Sequence, residues 1–219
     1  FDEESGVTTF GVYAPMAEHV TLEIFLDPIG AEAILRVDMA KSYEGVWRAS
    51  LLGAGHGTYY GYRCWGKNWP YLESWRPGTL EGFQADRDEY GNHFNPNKVL
   101  LDPYALEVLR TPMNPKLEEM GFNKNIFGTG STVWEGKQVR ELDSAKWAPK
   151  GIVVSDRTDT GQGINREGQD ICLYEVHVKQ LTMHPSASKL EEIFSDELGF
   201  DEVKNVPEEL RGTYAGAAY

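Results

Sequence analysis

From His19 to Leu26 the chain changes character at every residue. Val20, Leu22, Ile24 and Leu26 fall on one side of an extended backbone, and His19, Thr21 and Glu23 on the other. A helix cannot keep a period of two, so this run marks a strand buried on one side. A strand needs partners, and the flanking sequence supplies them. The run from Val7 to Tyr13 is β-rich and stops at Ala14-Pro15. After a turn at Asp27-Pro28-Ile29-Gly30, Ala33 to Met39 is a third candidate. Gly45 to Leu52 is a fourth, with Val46, Arg48 and Ser50 opposed to Trp47, Ala49 and Leu51. Thr58 to Trp65 is an aromatic fifth strand, entered through the glycine-rich turn 53–57. Five short strands at this spacing predict an antiparallel sandwich with Trp47 in its core. The composition agrees, since 23 Gly, 11 Pro, six Trp, eleven Tyr and nine Phe suit a turn-rich β protein better than a helical bundle.

The texture then changes. Residues 66–97 are rich in Trp, Pro, Gly, Asn and Asp without periodicity, and read as long self-packed loops. Val99-Leu100-Leu101 reads as a short strand ending at Asp102-Pro103. Asp is a good helix N-cap and Pro suits the first helical position, so Tyr104 to Leu109 is expected to form a helical turn. Residues 112–150 look irregular, with one strand at Gly151 to Ser155. The polar, Gly-containing stretch 156–169 marks the main boundary. Beyond it, Ile171 to Thr182 (ICLYEVHVKQLT) is strongly β-forming and suits a barrel or parallel-sheet strand. Lys189 to Leu198 carries Leu190, Ile193, Phe194 and Leu198 at helical spacing, and residues 212–219 read as the beginning of a helix.

The formal charge of −13 in 219 residues argues against binding to duplex nucleic acid or to an anionic membrane surface, both of which need clustered Lys and Arg. No window approaches the roughly 20 apolar residues of a membrane span. Cys64 and Cys172 lie far apart with no completing ligands, so a zinc site is not expected. Two buried free thiols are favoured over one disulfide.

Four rings, Trp65, Trp69, Tyr71 and Trp75, fall within eleven residues. Sugar rings stack on exposed aromatic planes, which makes these four the candidate substrate-binding residues. The competing and weightier reading is that they fill a core under a long loop, where each indole N–H would need a partner. Asp86-Arg87-Asp88-Glu89-Tyr90-Gly91 imitates half of a calcium loop, but its fifth position is Tyr90 and its twelfth is Asn97. An acidic turn bonding its own backbone accounts for it better. Glu175 and His177 share one face of the run 171–182 and could in principle do acid–base work, but a polar contact holding a barrel strand is the stronger reading.

Several strings occur in a telling order: GTYYGYRCWGKNWPY (57–71), GFQADRDEYGNHFNPNKVLLDPYALEV (82–108), APKGIV (148–153), LYEVHVKQLTMHP (173–185) and VPEELRGTYAGAA (206–218). The chain resembles the amino-terminal part of the isoamylase-type glycogen and starch debranching enzymes of bacteria. The resemblance implies a mainly β fold. An immunoglobulin-like β-sandwich, a carbohydrate-binding module of family 48, would take residues 1–110, followed by an irregular linker over 111–170. Residues 171–219 would be the first strand and start of the first helix of an incomplete (β/α)8 barrel of the alpha-amylase superfamily. It places Arg211 to Tyr214 near the glucan-binding face of a whole barrel, with Gly212 in a tight turn. It raises calcium as the one cofactor, held by an acid just ahead of a Pro-x-Asn-Pro turn. That place is Thr111, before Pro112-Met113-Asn114-Pro115, which puts calcium in doubt.

A (β/α)8 barrel takes about 250 residues, and only about 50 follow Asp170. The family's catalytic Asp, Glu and second Asp follow the fourth, fifth and seventh barrel strands. No residue of this chain matches them. The resemblance therefore implies a parent hydrolase that cleaves α-1,6 branches of glycogen or amylopectin, and a chain that is inert alone. The implied partners are an α-glucan and the missing barrel. A glucan-binding module without chemistry, or a sandwich that only packs against the barrel, are the alternatives. The resemblance leaves the compartment open between export and cytoplasm.

Overall fold

The computed structural model describes residues 1–109, 115–155, 161, 163, 167–194 and 203–218. The chain forms two compact units, Phe1–Thr158 and Asp159–Tyr219, so the division falls inside the polar stretch 156–169.

The first unit is built on strands β1 (Val7–Tyr13), β2 (His19–Phe25), β3 (Leu35–Asp38), β4 (Ala40–Lys41), β5 (Val46–Leu52) and β6 (Tyr59–Trp65). Two-residue strands follow: β7 (Glu107–Val108), the hairpin β8 (Val133–Trp134) and β9 (Lys137–Gln138), and β10 (Gly151–Ile152). The smaller sheet runs β1-β5-β4 and the larger β3-β2-β6-β10-β7, with antiparallel pairing throughout. Phe10 stands opposite Ala49, and Leu22 opposite Tyr62. Between the sheets lie Phe10, Val20, Leu22, Ile24, Trp47, Ala49, Tyr60, Tyr62 and Cys64. Trp47 is therefore a core residue, and its Nε1 donates to the carbonyl of Ala14 at 2.9 Å.

Three local expectations need correction. β2 is buried on both faces: Thr21, Glu23 and Phe25 are covered as well, Phe25 by Val99, Ala145 and Ala148. Val99-Leu100-Leu101 is not a strand; Leu100 makes one isolated bridge with Tyr62. Residues 104–109 hold no helix. Asp102 accepts from the Tyr104 amide at 2.8 Å in a short turn, and the chain then enters β7. Asp102 has a competing role, since its other oxygen accepts from the Tyr60 hydroxyl at 2.7 Å. That bond holds Asp102 against the sheet. Gly61 shows why the loops can lie so close. A Cβ there would stand 2.6 Å from Val99 Cγ1. Residues 115–150 are irregular apart from α1 (Pro115–Glu119), two 3-10 turns and the β8–β9 hairpin.

The second unit contains α2 (Val178–Met183), α3 (Leu190–Ile193) and α4 (Tyr214–Ala217) among its described residues. The expected strand Ile171 to Thr182 is not formed: residues 171–177 carry no ladder, and the remainder is α2. A parallel barrel strand takes its hydrogen bonds from neighbouring strands, and none stands beside it among the described residues. The helical expectation at the end of the chain corresponds to α4, capped by Thr213, whose side chain accepts from the Gly216 amide at 3.1 Å. Gly212 adopts φ +72°, and its amide donates to Thr182 Oγ1 at 2.8 Å. Leu190 and Ile193 lie on α3, while Leu198 falls outside the described residues.

Candidate functional site

The aromatic segment begins where β6 ends. Gly66 and Trp69 exchange backbone hydrogen bonds of 3.2 and 2.8 Å, which turns the chain back on itself. Trp69 Nε1 donates to the carbonyl of Glu81 at 2.8 Å, and its ring meets Phe83 edge-on at 5.0 Å. Trp65 meets Trp75 at 5.1 Å and Tyr71 at 5.2 Å, both edge-to-face. Three of the four candidate rings are inside: Trp65 is 2%, Trp69 1% and Trp75 7% exposed. A ring packed on both faces cannot stack on a sugar. Tyr71 is half-buried and stacks on His19 at 3.7 Å with the planes 16° apart. Partial burial, then the nearby Asp38 and Glu73, raise the Tyr71 phenol above its ordinary range. Nε1 of Trp65 and of Trp75 are buried without a hydrogen-bond partner, a cost of about 1–3 kcal/mol each.

Below this cluster lies a group of charges that the sequence reading missed. Glu23 and Arg63 are each 0% exposed. Glu23 Oε1 accepts from Arg63 Nε at 2.7 Å and from Arg36 Nε at 2.6 Å. Arg63 Nη1 then reaches the carbonyl of Pro96 and Asp143 Oδ1, both at 2.7 Å. Its guanidinium stands over Trp75 at 5.5 Å. Burial opposes the charge on Arg63, but Glu23 and Asp143 outweigh it and the guanidinium pKa is raised. Lys98 Nζ donates to the carbonyls of Ile126, Val139 and Leu142, and Lys150 Nζ to those of Ala145 and Ala148. Burial lowers both ammonium groups to about 8. The Arg63 bonds tie Pro96 and Asp143 to the outer face of the larger sheet, and the lysine bonds hold the covering loops to one another. Nearly every charge is directed at a protein partner, so the group acts as a clamp rather than a reaction centre. A signal was present: Glu23 faces Arg36 across β2–β3, with Arg63 on the next strand.

The remaining candidates are quickly placed. Asp88 accepts from the amides of Tyr90 and Asn92 and from Asn92 Nδ2 at 2.8–2.9 Å, and Asp86 pairs with Arg140 at 2.6 Å. The first is a self-bonded turn and the second an ion pair. Among the described residues no group of three or more His, Cys, Asp or Glu side chains could hold a metal ion. Thr111 and Pro112 to Asn114 lie outside the described residues. Glu175 and His177 are exposed and not brought together by any hydrogen bond. Cys64 is buried, with its thiol pushed up to about 12 by desolvation, but Cys172 is exposed, against the expectation of two buried thiols.

Comparison with known proteins agrees with this architecture. Residues 1–105 match the family model of carbohydrate-binding module 48, the isoamylase N-terminal domain. The isoamylase of Pseudomonas amyloderamosa is 35% identical over 225 residues, covering 99% of this chain and 25% of its own length. The glycogen debranching enzyme of Salmonella typhi is 30% identical, covering 94% of this chain and 24% of its own length. Among solved structures, the catalytic module of the glycogen-degrading pneumococcal virulence factor SpuA superposes with a TM-score of 0.50 at 17% identity. It covers 86% of this chain and 21% of that one, and speaks to the fold alone. The chain spans about a quarter of the length of the curated relatives it matches. Residues 1–105 are thus similar to the family-48 carbohydrate-binding module, and the chain as a whole is homologous to the amino-terminal region of isoamylases and glycogen debranching enzymes.

Proposed function

We propose that this chain is the amino-terminal part of an isoamylase-type debranching hydrolase acting on α-1,6 branches of glycogen or amylopectin. In this reading the first unit carries the sandwich and the second opens the (β/α)8 barrel. Residues 171–177 then take up their strand only when later barrel strands pair with them. The chemistry is retaining glycoside hydrolysis, which needs two carboxyl groups about 5–5.5 Å apart across one bond. Those groups belong to barrel strands beyond Tyr219, so the 219-residue chain is inactive by itself. The observation that carries the reading is the match of 99% of this chain to one quarter of an isoamylase.

An assay for reducing ends released from amylopectin tests it. The 219-residue chain should release none, and the product of a reading frame continued past Tyr219 should release linear chains. Release by the short chain, or action by the long product on α-1,4 bonds alone, would overturn the proposal. A second reading, a stand-alone α-glucan-binding module, is favoured by the self-contained core of the first unit.

A further inference from the structure

The clamp behind β2 leaves two charged atoms over. Glu23 and Arg63 are wholly buried, yet Glu23 Oε2 and Arg63 Nη2 have no hydrogen-bond partner among the described residues. Their other polar atoms are well supplied. Glu23 Oε1 accepts from Arg63 Nε at 2.7 Å and from Arg36 Nε at 2.6 Å. Arg63 Nη1 donates to the Pro96 carbonyl and to Asp143 Oδ1. An arginine and a carboxylate frequently meet through two parallel N–H···O bonds. Here one of the two is made and the other is not. The unpaired atoms remain neighbours, since each is two covalent bonds from an end of the 2.7 Å contact. Trp75, over whose ring the Arg63 guanidinium stands at 5.5 Å, also has its Nε1 unpaired.

Solvent reaches the edge of this group. A cleft of about 410 Å³ is bordered by Arg36 and Asp143, the outer partners of Glu23 and Arg63. The Arg36 side chain is 42% exposed and that of Asp143 23%.

We propose that an internal water molecule bridges Glu23 Oε2 and Arg63 Nη2, and that Arg36 holds this site open. By sharing Oε1, Arg36 turns the carboxylate out of the Arg63 fork, and the second oxygen falls short of Nη2. Two charged atoms left unpaired in the interior cost more than the entropy of holding one water. The chemistry selects water as the ligand. Oε2 needs a donor and Nη2 an acceptor, and water is both. A halide would set negative charge against the carboxylate, and a metal cation positive charge against the guanidinium. The site is independent of the activity of any longer product.

The test is a high-resolution crystal structure of the 219-residue chain, with water-to-protein NOEs at the Arg63 side-chain N–H groups as the solution readout. The expected result is a water within about 2.7–3.2 Å of both Glu23 Oε2 and Arg63 Nη2, and an NOE from a long-lived water to Arg63. Arg36→Met removes a half-exposed guanidinium and leaves Oε1 with Arg63 alone. In that variant the pair should close into two parallel bonds, and the water and its NOE should be lost, with circular dichroism unchanged. A direct Oε2–Nη2 bond in the parent chain, bromide density at the site after growth in a bromide salt, or a water that persists in Arg36→Met would each overturn the proposal.

Discussion

Strand β2 and the segment Ile171 to Thr182 alternate in the same manner and are buried quite differently. In β2 the residues Val20, Leu22 and Ile24 face the sandwich core, and Thr21, Glu23 and Phe25 are also covered. In the second segment Leu173 is 91% exposed and Tyr174 85%, and the backbone ends in α2. Alternation is a statement about faces. It becomes a strand only when neighbours supply hydrogen bonds and something covers the apolar side. β2 has β3 and β6 on its two edges and a loop layer behind it.

The most severe way to break this contrast is to remove one buried charge behind β2. Glu23→Ala strands Arg63, and should lower stability by about 3–5 kcal/mol in urea titration. The paired replacement Glu23→Leu with Arg63→Met should recover most of that loss. Recovery separates a clamp that must be complete from one that is merely packed.

A second comparison concerns equivalent leucines. Leu22→Ala should cost about 2–5 kcal/mol, and Leu173→Ala in this chain less than about 0.5 kcal/mol. In a longer product that completes the barrel, Leu173→Ala should become costly too. Equal effects at both positions in the present chain would erase the distinction.

Gly61→Ala addresses the covering layer alone. Its Cβ would press on Val99, and a loss of about 1–3 kcal/mol is expected, with the larger sheet itself intact by circular dichroism.

The smallest effect is the pH dependence of the same layer. Burial lowers Lys98 and Lys150 to about 8, against an ordinary value of 10.5. Between about pH 8 and 9 the unfolded chain holds more protons than the folded one, so stability rises with pH in that window. Above it Cys64, raised to about 12, acts in the opposite sense. The urea midpoint should climb from pH 7.5 to 9, and by about half as much in Lys98→Met. A flat or falling midpoint would contradict the placement of these lysines.

Much of the sandwich could be read from residues alone. The five main strands stand within two residues of the expected bounds, because their alternation and their turns act locally. What stayed hidden depends on distant chain. Nothing near Glu23 or Phe25 says that Val99, Asp143, Ala145 and Ala148 will close over this face, so the outer face of β2 read as solvent. The same holds for residues 104–109: Asp102 does accept from the Tyr104 amide, but the chain runs on into β7, whose partner β10 lies more than 40 residues away. The aromatic segment was legible as a self-packed cluster, since Trp65, Trp69 and Trp75 lie close in sequence.

The central claim, that this chain opens a debranching hydrolase, is tested most directly by reading the coding DNA past the codon for Tyr219. The account predicts several hundred further codons that supply the Asp, Glu and Asp of the later barrel strands. A stop codon immediately after Tyr219 would contradict it.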